Sequence, residues 1–327
     1  MKILSRFTSV AITASIITCS SVAVANPYLQ IDDYVNKNKE IIRLNSGTAV
    51  AVIKGNEIVY EGYFGHADLQ NQIAVDHNTA FYIASMTKPF TALLTLLQQH
   101  QGKLGTNQKV ADMFPDIKFK RAIKADKVTV RNLLAHTSGI DNWPLIQATA
   151  YTGLHDKDTI DNLLTNSYVN DNAPFGEYDY TNVGYNILSH WMDNKMESDW
   201  QGQLESHIFK PLGMHMTSAR ISDADKLGWT LAKGYSVKSP EPTAPVYLTK
   251  TDNSMHAAGG MISTARDLAQ FLIMQVNQGK VANQQILPES VVLESQQKVA
   301  SYERNGSKRH YGWGWFVRNL FDHTLLE

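Results

Sequence analysis

The sequence predicts an α/β (α+β) fold in which an antiparallel sheet, flanked by helices, is interrupted by a mostly helical insertion. Two observations carry this expectation. Two β-type runs, Thr48 to Ile53 and Glu57 to Phe64, are joined by Lys54-Gly55-Asn56, a tight turn of the kind that joins antiparallel strands. From Val110 to about Tyr247 the chain then reads as helices with long loops, and a β-type run returns at Tyr311 to Val317. The division that follows is 1–25 as a signal peptide, 26–110 as the first part of the sheet domain, 111–254 as the helical domain and 255–327 as the rest of the sheet domain.

The first segment carries Lys2 and Arg6, a short apolar run from Val10 to Ile17, and the small-residue cleavage site Ala23-Val24-Ala25. The expectation is an exported protein, periplasmic or secreted. Cys19 offers the alternative of a lipid-attachment site, against which Ile16-Ile17-Thr18 ends in Thr where Gly or Ala is wanted. No stretch reaches the roughly 20 apolar residues of a spanning helix, so no transmembrane segment is expected. Cleavage after Ala25 removes the one cysteine, and with it disulfides, zinc thiolates and a cysteine nucleophile. It also moves the formal charge from −1 to −3, and no long run of like charge remains, so nucleic acid is not an expected partner.

Pro27 to Leu44 reads as an opening helix, and the hairpin follows it. Next comes Phe81 to Gln99, where Pro89, lacking an amide hydrogen, belongs in a first helical turn and so fixes the helix start at Ala84 to Met86. Phe90, Leu93, Leu94 and Leu97 recur at helical spacing, and Gln101-Gly102 supplies a stop. Further helices are expected at Val130 to Ala135, Val183 to Met192, Trp200 to Phe209, Thr264 to Met274 and Pro288 to Gln296, with a proline-rich surface loop at Ser239 to Pro245.

Ser85 and Lys88 stand three residues apart at that helix start. The pattern alone is weak, because Ser295-Gln296-Gln297-Lys298 also fits and reads as solvated helix surface. Ser85 has the plain reading of a helix cap. Against it, Phe81, Tyr82, Ile83, Ala84, Met86 and Phe90 surround Lys88 with apolar neighbours, which disfavours its charged form and suits it to take a serine proton. The helix start also offers free amide hydrogens to a developing oxyanion. Tyr-x-Asn occurs at Tyr34-Val35-Asn36, Tyr168-Val169-Asn170 and Tyr180-Thr181-Asn182, and only the third follows a turn, Pro174-Phe175-Gly176, and opens a helix.

Five blocks in order resemble the beta-lactamase-related serine hydrolases: Ser85 to Pro89, Leu133-Leu134-Ala135-His136-Thr137-Ser138-Gly139, Tyr180 to Tyr185, Pro211-Leu212-Gly213-Met214 and Ala258 to Ala269. The likeness runs from about Gly47 to Trp315. It implies a beta-lactamase/transpeptidase-like fold with Ser85 as acylated nucleophile, Lys88 as its proton acceptor and Tyr180 as acid/base for the leaving group and the deacylating water. It also implies Asn182 as the residue that positions Lys88 and binds the substrate amide. His136 and Gly259-Gly260 fall in blocks that read as structural. The implied substrates are a beta-lactam, a D-alanyl peptide or an ester; no cofactor or metal is implied, and a monomer is expected.

The family's third motif, Lys or His, then Ser or Thr, then Gly, is missing: Lys250-Thr251-Asp252 and His323-Thr324-Leu325 lack the glycine. The expectation is a chain truncated at or before that motif, without the last strands and C-terminal helix, and so of poor solubility or stability. A catalytically inactive relative or fragment that binds cell-wall peptides without turnover is the competing reading. An α/β-hydrolase elbow Gly-x-Ser-x-Gly, a zinc signature His-Glu-x-x-His and a class A Glu-x-x-Leu-Asn are all absent.

Overall fold

The computed structural model describes residues 28–246, 250–321 and 323–327, so the expected signal peptide and Cys19 lie outside the described residues. Helix α1, Leu29–Ile42, leads into strands β1, Thr48–Lys54, and β2, Glu57–Phe64, which pair antiparallel across a turn where Gly55 takes φ +58°. A 3₁₀ turn at Ala84–Met86 then feeds helix α2, Thr87–His100, with Pro89 in its first turn. Gly102, at φ +71°, turns the chain away after it.

Sequence periodicity gave α2 one apolar face; the structure buries it on all sides, from Thr87 to Gln98. Its polar residues tolerate this because each makes at least one hydrogen bond, although Gln98 Oε1 is left without one. Thr91 donates to the Ala257 carbonyl at 2.8 Å, Thr95 to the Thr91 carbonyl at 2.8 Å, and Gln98 to Gln203 at 2.7 Å. The core around α2 is one cluster that includes residues from Ile83 to Trp313.

Helix α3, Val130–Leu134, starts at a capping box between Thr129 and Asn132. It abuts helix α4, Val183–Lys195, at Gly184, where a β-carbon would collide with the Leu133 carbonyl. Helix α5, Ala265–Val276, is capped by Thr264, which accepts from the Asp267 amide at 3.1 Å, and packs on β1. Helix α6, Glu289–Ser295, packs on α2. Two short strands, β3 at Phe81–Tyr82 and β4 at Ile262–Ser263, pair antiparallel and tie the turn bearing Ser85 to the segment after Ala258.

The C-terminal part is a four-stranded antiparallel sheet of β5, Ala300–Arg304, β6, Ser307–Tyr311, β7, Phe316–Leu320, and β8, His323–Leu326, in that order. The single strand expected over Tyr311 to Val317 is corrected: Gly312 and Gly314, the latter at φ +85°, turn the chain between β6 and β7. The expected helix over Trp200 to Phe209 is α-helical only at Trp200–Leu204 and then widens into a π-helical turn, Glu205–Phe209. Ser295 is corrected too. It is buried on the inner face of α6, where its hydroxyl donates to the Val292 carbonyl at 2.7 Å, because Val291 and Val292 turn that face into the core.

Candidate active site

The backbone before Ser85 is strained: Ala84 takes φ +46°, in the left-handed region that a side chain disfavours. The turn leaves the Ser85 hydroxyl exposed and its amide N–H without an acceptor among the described residues. Ser85 does not cap the helix. Its side chain instead meets Lys88, whose Nζ lies 3.2 Å from Ser85 Oγ.

Lys88 is 0% exposed. Its Nζ also reaches Asn182 Oδ1 at 2.9 Å and the Ala258 carbonyl at 2.8 Å. No carboxylate forms an ion pair with it among the described residues, and burial pulls its pKa down from 10.5 to about 7. When the amine is neutral, the geometry assigns its protons. Asn182 Oδ1 and the Ala258 carbonyl only accept, so they take its two N–H groups, which leaves the lone pair directed at the Ser85 hydroxyl.

Asn182 sits at the N-terminus of α4, where an asparagine normally caps the helix; its side chain makes no cap here, because Oδ1 is taken by Lys88. Thr181 Oγ1 substitutes by accepting from the Val183 amide at 3.2 Å. Tyr180 lies with its ring centroid 4.7 Å from Lys88 Nζ. Burial raises the Tyr180 pKa above its ordinary value, and interaction with the Ser85 hydroxyl opposes the rise only in part. The phenol therefore stays protonated at neutral pH.

A wall of rings holds Tyr180. Phe316 stacks on it at 5.9 Å and His136 lies tilted against it at 4.5 Å. His136, at φ +60°, accepts the Thr181 amide on Nδ1 at 3.3 Å, while its Nε2 is sealed without a partner against the rings of Tyr180 and Tyr311. Burial foremost, and the charge of Lys88, keep it uncharged. Ser85 and Tyr180 stand on the rim of an apolar cavity of about 400 Å³ walled by Phe271, Trp315 and Phe316 among others.

The structure thus brings together Ser85, Lys88, Tyr180 and Asn182, and sets the other Tyr-x-Asn copies elsewhere: Tyr34 is exposed on α1 and Tyr168 is half-exposed in a two-residue strand. Neither incomplete third-motif triplet lines the cavity at Ser85. Thr251 heads a 3₁₀ turn, Lys250 bonds the Ala150 carbonyl, and His323 to Leu325 lie in strand β8.

Sequence reasoning passed over His256. This ring is buried, bonded through Nδ1 to Asn186 Oδ1 at 3.2 Å, and held uncharged, its pKa lowered to about 3 by burial first and then by Lys88 and Lys250. A lone histidine with no partner at a recognisable spacing gives no signal; only its place three residues before Gly259 pointed here.

A family model described as Beta-lactamase matches residues 42–324. Penicillin-binding protein 4* of Bacillus subtilis (strain 168) is 26% identical over 289 residues, covering 84% of this chain and 60% of that protein. The chain spans 53 to 60% of the length of the first curated relatives it matches. Among solved structures, the octameric penicillin-binding protein homologue from Pyrococcus abyssi superposes with TM-score 0.75 at 20% identity, over 92% of this chain and 67% of that one. The D-amino acid amidase from Ochrobactrum anthropi SV3 gives TM-score 0.71 at 23% identity, over 91% and 83%. At these identities the two structures establish the shared fold.

Proposed function

The chain belongs to the Beta-lactamase family, and from that premise we propose that it is a serine hydrolase that cleaves an amide or ester bond through an acyl-enzyme on Ser85. The observation that carries this reading is the contact between the buried Lys88 Nζ and the Ser85 hydroxyl oxygen, 3.2 Å apart.

As Ser85 Oγ attacks the substrate carbonyl carbon, its proton passes to Lys88, and the oxygen of the tetrahedral intermediate takes the free Ser85 N–H. Tyr180 gives its hydroxyl proton to the departing nitrogen or oxygen and is re-protonated from Lys88, so the serine proton ends on the leaving group. A water then attacks the acyl carbon, loses its proton to the same Lys88–Tyr180 pair, and Ser85 Oγ departs by taking that proton back. Asn182 holds Lys88 in place throughout and offers its amide N–H₂ to the substrate.

The substrate class proposed is a beta-lactam, a D-alanyl peptide or an ester, outside the cytoplasm. Export rests on the composition of residues 1–25; among the described residues no helix is long and apolar enough to cross a membrane. A second reading is binding of cell-wall peptides without turnover. Intact mass spectrometry before and after incubation with a penicillin and an activated ester separates the two. An adduct that forms and decays, and is lost in Ser85→Ala, supports the hydrolase; an adduct that never decays supports binding alone, and no adduct removes both acyl-enzyme readings.

A further inference from the structure

Asn182 and Asn186 lie one helical turn apart on the same face of α4, and each points its amide oxygen at one member of the site. The hydrogen bonds around Asn186 fix the state of His256. Thr149 Oγ1 spends its only hydrogen on the Leu145 carbonyl at 2.8 Å, so it can only accept from Asn186 Nδ2 at 2.7 Å. That orients the Asn186 amide with its oxygen toward His256, and the ring must donate from Nδ1. In an uncharged imidazole the other nitrogen, Nε2, is then a bare acceptor.

Nε2 has no hydrogen-bond partner among the described residues, and unlike the equivalent atom of His136 it is not sealed from water. It faces the turn that carries Ser85. A β-carbon placed on Gly259 would lie 3.1 Å from Nε2 and 3.5 Å from the Ala84 carbonyl carbon, so the missing side chain is what keeps a gap open between the imidazole and the nucleophile's backbone. Thr149, Asn186 and His256 also line a cavity of about 360 Å³ whose lining does not include Ser85.

We infer that His256 determines acyl-side specificity. Its Nε2 accepts a hydrogen bond from an N–H or O–H donor borne by the acyl group next to the scissile carbonyl, selecting aminoacyl or acylamino donors over plain acyl esters. This rests on the hydrolase reading above. An acceptor that a bound substrate closes off from water without pairing with it is the kind of feature that discriminates strongly between isosteres.

The test compares two p-nitrophenyl esters of one shape, that of N-acetylglycine and that of 4-oxopentanoic acid, in which the amide N–H is replaced by CH₂. Each kcat/KM is divided by the ester's own rate with hydroxide, which removes the difference in intrinsic reactivity. The expected ratio in the unaltered protein is about tenfold in favour of the N–H ester, the worth of one hydrogen bond. In His256→Leu it falls to about one, in His256→Gln, which keeps an acceptor, part of it is retained, and in Gly259→Ala, which sets a methyl group across the gap, it collapses as in His256→Leu. Both esters meet the same molecules, so the ratio does not depend on how much of a variant is folded. A ratio near one in the unaltered protein, or one unmoved in His256→Leu, overturns the inference and leaves the hydrolase standing. Turnover that persists in Ser85→Ala would instead remove the hydrolase reading and this inference with it.

Discussion

On the proposed mechanism, Lys88 is the residue whose protonation sets when the site can act. Its amine accepts a proton only when neutral, so acylation of Ser85 by an activated ester is expected to rise with pH to a plateau with a midpoint at about 7. Lys88→Met should lower kcat/KM by about 10²- to 10⁴-fold, the usual weight of a positioned base, in a stopped-flow assay of p-nitrophenol release. The same group leaves a mark on stability. Unfolded, it holds its proton up to 10.5, while folded it releases it near 7. Between those values the unfolded state binds more protons, so the lysine's contribution to stability increases with pH. The urea midpoint of the unaltered protein should gain on that of Lys88→Met between pH 7 and 9; a constant difference would show that the amine is not depressed. At this scale Ser85 and Lys88 were legible because a proline fixed the helix start, and Asn182 because it opens a helix. His256 was not, since its role depends on Thr149, Asn186 and Gly259, which only the fold brings together.

Among the elements, the contact of α3 with α4 is set by one missing side chain. Gly184→Ala drives a methyl group into the Leu133 carbonyl and should destabilise the protein by about 1–3 kcal/mol in urea unfolding, the range for overpacking. Gly234→Ala, where nothing lies within 4 Å, is the control and should move stability by less than about 0.5 kcal/mol. The hairpin β1–β2 and the start of α2 were readable because turn and proline chemistry act within a few residues. The turn between β6 and β7 was hidden by a run of aromatics that looks like one strand. The all-round burial of α2 was hidden because the partners of Thr91 and Gln98 are Ala257 and Gln203, far along the chain. Short-range chemistry writes itself into a sequence, whereas long-range pairing does not.

At the scale of the whole molecule, the described residues leave surface open to association on α1 and at sheet edges. α1 buries none of its residues and presents Tyr34 and Ile41, 70% and 68% exposed and two turns apart on one face. Sheet β1–β2 and the four-stranded sheet end in edges that no described strand pairs. Surfaces of this kind associate. Sedimentation velocity should show concentration-dependent self-association that Tyr34→Glu with Ile41→Glu reduces; a single monomeric boundary at all concentrations would refute this.

The close seating of Gly314 has a consequence in time. Lys88 is joined to Asn182 and Ala258 across 94 and 170 residues of chain, and Gly314, where a β-carbon would fall 2.6 Å from the Lys88 carbonyl carbon, presses the last sheet onto the same turn. A ribosome releases the nucleophile long before it releases any of these partners. Until those partners emerge the growing chain therefore carries a serine beside a solvated, protonated lysine, and on the proposed mechanism reactivity waits for the fold.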